Sequence, residues 1–181
     1  MAALNFIVRD ALEADVEACL KLDHAYDTDY VWQVTFLSLA PGYQLTLRPE
    51  RLPRGVSLTH VVSAERLKAA VNTHQLLLAT ERDTEQLLAY AVVRHDPYNA
   101  IVTVCDLVVD RAVRRCGLGS RFFAVLRRWA AAHQARFLAC EVQHKNYPAI
   151  QFCLRQGLEF SGMNDKYFAD HEIALFFTQL I

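Results

Sequence analysis

The stretch VVDRAVRRCGLGSRFFAVL, Val108 to Leu126, decides the fold. Its first residues end an apolar run, AIVTVCDLVVD, that reads as a strand. Its last residues open a helical stripe of Leu118, Phe122, Val125, Leu126 and Trp129. Between them stand Arg111, Arg114 and Arg115, then Gly117 and Gly119. A helix N-terminus leaves about four backbone N–H groups without partners and carries roughly half a positive charge. Glycine lets the backbone approach an anion with no Cβ in the way. Arg114 and Arg115 add charge, so Arg115, Cys116, Gly117, Leu118, Gly119 and Ser120 suit a pyrophosphate. The same residues would also make an ordinary tight turn, and this segment alone leaves both readings open. It lacks the third glycine of a dinucleotide fingerprint and the Gly-Lys-Ser/Thr of a P-loop.

Working outward, the chain alternates strands and helices. NFIVRDAL reads as a first strand and EADVEACLKLDHAY as a helix. YVWQVTFLSLAPGYQLTLRP predicts two strands around Pro41-Gly42, and SAERLKAAVNT a short helix capped by Ser63. HQLLLATER, QLLAYAVVRH and AIVTVCDLVVD are apolar runs separated by DTE and DPYN, which predicts an antiparallel meander. RFLACEV is a further strand. NYPAIQFCLRQ is a helix with Asn146 as N-cap and Gly157 beyond its end. KYFAD and EIALFFTQLI are expected to close the chain as strands. The fold class is α/β (an α+β mixed sheet), with helices packed on a central sheet.

Composition bounds the function. The 181 residues suffice for one domain with a sizeable core, and no repeat or linker divides them. Apolar residues make up 53% and charged residues 22%, with a formal net charge of −1. No global field attracts nucleic acid or an anionic membrane. No apolar run approaches the roughly 20 residues that span a bilayer. MAALNFIVRDALEAD does not read as a signal peptide. The five cysteines (Cys19, Cys105, Cys116, Cys140 and Cys153) form no Cys-x-x-Cys pair and are expected to be buried thiols in a reducing compartment, the cytoplasm. The seven histidines show no zinc spacing, so no metal is expected.

The frame around the glycines carries a resemblance. Arg114-x-x-Gly117-x-Gly119 follows CDLVVD, and NYPAIQFCLRQGLEF begins about 27 residues after Gly119. This resembles the GNAT superfamily of acetyl-coenzyme A-dependent N-acetyltransferases. Its phosphate loop reads Arg/Gln-x-x-Gly-x-Gly/Ala, and its next motif Asn-x-x-Ala-x-x-Phe-Tyr-x-x-x-Gly-Phe. Asn146, Ala149, Phe152 and Gly157 match. Cys153 stands where the tyrosine is expected, and Leu158 replaces the last phenylalanine. The resemblance covers residues 75–160, the expected cofactor-binding core of a single domain spanning 1–181. CDLVVD, CEVQHKNYPAIQFC and HEIALFF are most similar to streptothricin-type acetyltransferases, and less so to those acetylating ribosomal-protein N-termini.

The resemblance implies a mostly antiparallel sheet that splays between two strands, with acetyl-coenzyme A lying in the gap. Its pyrophosphate would sit on Arg114 to Ser120. Its pantetheine would pair with the backbone of Leu107, Val108 and Val109. A backbone N–H near Val108 would face the thioester oxygen, a contact worth about 3 kcal/mol in comparable acyl transfers. Asn146 and Cys153 would also border the cofactor. Glu141 and Asp106, carboxylates in apolar runs near strand ends, are both candidate general bases. For the acid, Tyr147 and Tyr167 stand as alternatives to Cys153 or water.

LDHAYDTDYVW sets carboxylates among aromatic rings. Asp27, Asp29, Tyr30 and Trp32 suit a cationic amine through ion pairing and cation–π contact. Three functions follow from the resemblance: acetylation of a small cationic amine, acetylation of a protein N-terminus or lysine, or silent binding of coenzyme A by a regulatory domain. VWQVTFLSL is apolar on both faces, which leaves one face for a second copy of the chain and a homodimer.

Overall fold

The computed structural model describes residues 5–181, which divide into two compact units. The first comprises the residues through His24 together with His60–Glu141 and Thr178–Ile181. Five strands lie side by side in it, in the order β1 (Phe6–Asp10), β4 (Leu76–Glu81), β5 (Leu87–Asp96), β6 (Ile101–Val109) and β7 (Phe137–Gln143). The meander expected from the short turns is present, since β1, β4, β5 and β6 pair antiparallel in sequence. β7 joins β6 in parallel, and the helix α3 (Leu118–Ala132) makes the crossover that a parallel pair requires.

One side of this sheet carries α1 (Val16–Lys21) and α2 (Ala64–Asn72). Val16 and Cys19 from α1 and Leu67 and Ala70 from α2 close over Leu76, Leu78, Tyr90, Val92 and Val108. The intervening residues Leu77, Ala79, Ala89, Ala91 and Val93 are buried as well. Both faces of the sheet are therefore covered, which explains why these strands read as continuous apolar runs. α3 packs against β6 and buries Leu118, Phe122, Phe123, Leu126 and Ala130. Each of the leucines and phenylalanines contributes about 1.5–3 kcal/mol relative to exposure. Ser63 caps α2, its Oγ accepting from Arg66 N at 3.2 Å.

The second unit comprises Ala25–Thr59 and Val142–Phe177. The hairpin signal at Pro41-Gly42 is realised at greater length than expected, as β2 (Ala25–Leu39) and β3 (Gly42–Thr59). α4 (Tyr147–Arg155) packs on β2. Asn146 caps it, with Oδ1 accepting from Ala149 N at 3.1 Å, and Gly157 beyond its end adopts a φ of +85°. The last strands are β8 (Glu159–Asn164) and its neighbour β9 (Ala174–Leu180). KYFAD is thus no strand. Asn164 Oδ1 accepts from Lys166 N at 2.8 Å and turns the chain there. Tyr167 then sets its ring edge-on to Phe168 and Phe176, so the aromatics that suggested a strand serve a packed turn. The strand lies earlier, in EFSGMN, where Gly162 weakens the pattern.

Candidate active site

β6 loses its parallel partner halfway along. The ladder with β7 runs from Ile101↔Phe137 to Val104↔Cys140 and ends there, although β6 continues to Val109. On its other side β6 stays paired with β5 as far as Ala89↔Val109. Cys105 marks the point of departure. Val92 faces Asp106 and Val93 faces Val104, so Cys105 is an extra residue, a bulge that bends and twists the strand.

Which backbone groups face the open side follows from the ladder. Asp110 N donates to Leu88 O at 2.8 Å, so Asp110 is turned toward β5. Alternation turns Val108 the same way and presents Leu107 and Val109 outward. The Arg114 side chain agrees, with Nε donating to the Val109 carbonyl at 2.8 Å. The N–H groups offered at this edge are those of Leu107 and Val109, on either side of Val108.

The chain then passes through a 3₁₀ turn, Arg111–Val113, capped by Asp110 Oδ1 accepting from Ala112 N at 2.8 Å. Arg114 also donates to the Asp23 carbonyl, and Arg111 reaches the Asp23 carboxylate at 3.4 Å. Arg114 therefore braces the loop with its guanidinium on backbone carbonyls. Arg115 has a φ of +63°, Gly117 one of +79°. Gly117 is the N-cap of α3 and no side chain caps the helix. A Cβ added at Gly117 would meet nothing within 4 Å. An uncapped helix start beside open space and an exposed Arg115 fits a phosphate-bearing ligand. Cys116 here is exposed, against the expectation of a buried thiol, because the loop rather than the core holds it.

The two candidate bases sit in one charged cluster of the first unit. Asp106 lies on β6 and Glu141 on β7, with side-chain exposures of 0% and 3%. Asp106 Oδ1 accepts from His60 Nε2 at 2.7 Å and from Arg66 Nη2 at 3.3 Å. Its Oδ2 is 3.2 Å from Arg66 Nη2, without hydrogen-bond geometry. Glu141 Oε2 accepts from Arg94 Nη2 at 3.2 Å, and its Oε1 is 3.9 Å from Arg66 Nη2. Arg66 is placed by the Ser63 cap of α2, and Arg94 by β5. Beside the cluster, His24 Nε2 and Tyr90 Oη are 3.0 Å apart. Burial pushes the Tyr90 phenol up, helped by the charge of Asp106, and pushes the His24 imidazole down, helped by His60. Burial, and then Glu141, raises the Cys105 thiol to about 12. His60, Arg66 and Arg94 were not legible as site residues: they lie far from the carboxylates in sequence, and only the sheet order brings them together.

The remaining predicted residues lie in the second unit. Tyr147 opens α4 and packs its ring on Tyr30, centroids 5.1 Å apart. Trp32 meets Phe177 edge-on, and its buried Nε1 makes no hydrogen bond among the described residues. Asp27 and Asp29 are exposed, with the buried Thr28 between them. Cys153 is 2% exposed, packed in α4 beside Ile150. The Asn146 side chain is committed to its cap. Among the described residues no three His, Cys, Asp or Glu side chains gather to hold a metal ion, and no helix is long and apolar enough to cross a membrane.

Known structures share this fold. A nourseothricin acetyltransferase superposes with a TM-score of 0.79 at 25% identity, covering 97% of this chain and 98% of its own. A candidate streptothricin acetyltransferase from Bacillus anthracis, in complex with acetyl-coenzyme A, gives 0.76 at 16% identity over 98% of this chain and all of its own. A ribosomal-protein-alanine N-acetyltransferase from Escherichia coli gives 0.65 at 15% identity, covering 97% of this chain and 94% of its own. No curated relative matches the sequence. The model of the acetyltransferase (GNAT) family matches residues 43–158. That match takes in the open strand edge, the glycine turn, Glu141 and Asn146, and it spans more than half of the chain, which therefore belongs to the GNAT family of acetyltransferases.

Proposed function

We propose that the chain transfers the acetyl group of acetyl-coenzyme A directly to the primary amine of a small cationic molecule, and that residues 1–181 act as one catalytic domain. The open edge of β6 beside an uncapped glycine turn carries this reading. It offers, within one unit, outward N–H groups at Leu107 and Val109 for the pantetheine and the thioester oxygen, and the first N–H groups of α3 for the pyrophosphate. Donor binding of this kind leaves the amine as the unknown. The full-length likeness to nourseothricin acetyltransferase supports a small acceptor. So do the exposed carboxylates of Asp27 and Asp29 on the strand that carries Tyr30 and Trp32, which suit a cation. Five cysteines outside any disulfide fit a reducing compartment such as the cytoplasm. Exposed Phe36, Leu37, Leu39 and Tyr43 near the hairpin tip support a homodimer, which sedimentation equilibrium tests.

The deciding experiment is release of free thiol from acetyl-coenzyme A across a panel of amines. The panel holds streptothricin-class compounds, polyamines, free lysine, and peptides bearing either a free N-terminus or a lysine side chain. Turnover confined to small cationic amines is expected. Turnover confined to peptides would replace the acceptor class, and binding of acetyl-coenzyme A without any turnover would mark a silent domain.

A further inference from the structure

We infer that His60, oriented by Asp106, is the general base of the acetyl transfer, and that the two buried carboxylates are not. The inference rests on the N-acetyltransferase reading above and names the proton acceptor of that same site.

Accessibility separates the candidates. The Asp106 side chain is wholly buried and that of Glu141 is 3% exposed. Both are already engaged by hydrogen-bond donors, Asp106 by His60 and Arg66, and Glu141 by Arg94. Neither presents more than a trace of its surface to an incoming amine. The His60 side chain is 27% exposed. A carboxylate only accepts, so the 2.7 Å contact fixes the proton of His60 on Nε2 and leaves Nδ1 as its basic nitrogen. Among the described residues Nδ1 has no hydrogen-bond partner. This is the arrangement in which an aspartate sets the tautomer and orientation of a catalytic imidazole. The backbone holds the residue as well, since His60 N donates to His24 O at 3.1 Å.

The charged and titratable groups around His60 come from three elements and one connecting segment. Asp106 faces it from β6 and Arg66 from α2. His24 lies on the segment after α1 and is itself bonded to Tyr90 of β5. Asp106 stands one position before Leu107, whose N–H faces the open edge, so the residue that orients the base and the oxyanion donor are neighbours on one strand.

The step balances without another acid. The amine nitrogen bonds to the acetyl carbonyl carbon, and the carbon–sulfur bond breaks with its electron pair on sulfur. The proton leaving the amine goes to His60 Nδ1, and the imidazolium then gives it to the thiolate. A tyrosine at position 153 is not required, which accounts for the buried Cys153.

The test uses the full chain and two readouts. Imidazole ¹⁵N spectra, with His60 assigned by its loss in His60→Gln, give the tautomer at a pH above the usual range of imidazole titration. Nε2–H is expected, with a shift toward Nδ1–H in Asp106→Asn. With any amine that turns over, His60→Gln should lower kcat by about a hundredfold or more and abolish the acidic limb of the kcat/KM profile. Its affinity for acetyl-coenzyme A, measured by calorimetry, should be unchanged. A wild-type Nδ1–H tautomer, or a His60→Gln enzyme that keeps both kcat and the acidic limb, overturns the proposal. Failure of every amine in the panel would sink the acetyltransferase reading and the base with it, whereas turnover that His60→Gln leaves intact would sink the base alone.

Discussion

Arg66 Nη2 stands 3.2 Å from a carboxylate oxygen of Asp106 whose side chain is entirely shielded from solvent. Removing one partner of such a contact leaves charge in a poor solvent, and that cost exceeds the net worth of the pair. Arg66→Met keeps the aliphatic stem and discards the charge. Because Arg66 is itself 41% exposed, the expected loss is moderate, about 1–3 kcal/mol of unfolding free energy by urea titration at neutral pH. Unchanged stability would mean that His60 alone satisfies Asp106.

Gly117 separates backbone conformation from ligand space. Its φ of +79° costs an ordinary residue roughly 1–2 kcal/mol, and Asn much less. A Cβ at this position meets nothing within 4 Å of the protein. Gly117→Val should lower both the melting temperature and the affinity for acetyl-coenzyme A. Gly117→Asn should preserve the melting temperature and still weaken binding at least tenfold by calorimetry. Wild-type affinity in Gly117→Asn would return the segment to the status of a turn.

The cysteines should differ sharply toward iodoacetamide. Burial raises the thiols of Cys19 and Cys105 to about 12, so at pH 8 only about one in ten thousand is thiolate. Cys116 is exposed in the loop before α3. Native-state labelling followed by peptide mass spectrometry should show Cys116 modified first, with Cys19 and Cys105 untouched. Acetyl-coenzyme A should slow labelling at Cys116. Equal rates with and without it would count against a donor site at this loop.

Arg9 and Asp15 give a pH signature distant from the active site. Two hydrogen bonds, at 2.7 and 2.8 Å, join the guanidinium to the carboxylate and hold Asp15 below the usual carboxylate range. A depressed carboxylate stabilises the fold above its unfolded pKa, and that contribution fades as pH falls through the folded value. The pair is partly exposed, so it is worth about 1 kcal/mol or less. The stability gap between wild type and Arg9→Met should stay level from pH 7 to 5 and shrink below roughly pH 4. A gap that widened in acid would contradict the sign.

The helices and the meander were legible because their signals are local. Ser63 and Asn146 announce caps within three residues, and DTE and DPYN announce turns. The glycine turn was legible for the same reason. KYFAD misled because ring packing by Tyr167 looks the same in sequence whether a strand or a turn supplies it. The contact of His60 was invisible because Asp106 lies 46 positions away, and the lone histidine of SLTHVVS has no pattern of its own. Two carboxylates in apolar runs drew attention as bases, and the fold sets them against a histidine and two arginines that their own sequence context does not announce.

The extra residue at Cys105 sets the parity of everything after it in β6. Hydrogen-bonding direction alternates along a strand, so a one-residue slip of β6 against β5 beyond Cys105 would turn the backbone of Leu107 and Val109 inward and show Val108 instead. The chain would keep its residues, but their side chains would change face and the site would lose its address on the backbone. Substitutions along this edge are cheap by comparison, because the information lies in an odd or even count rather than in residue identity.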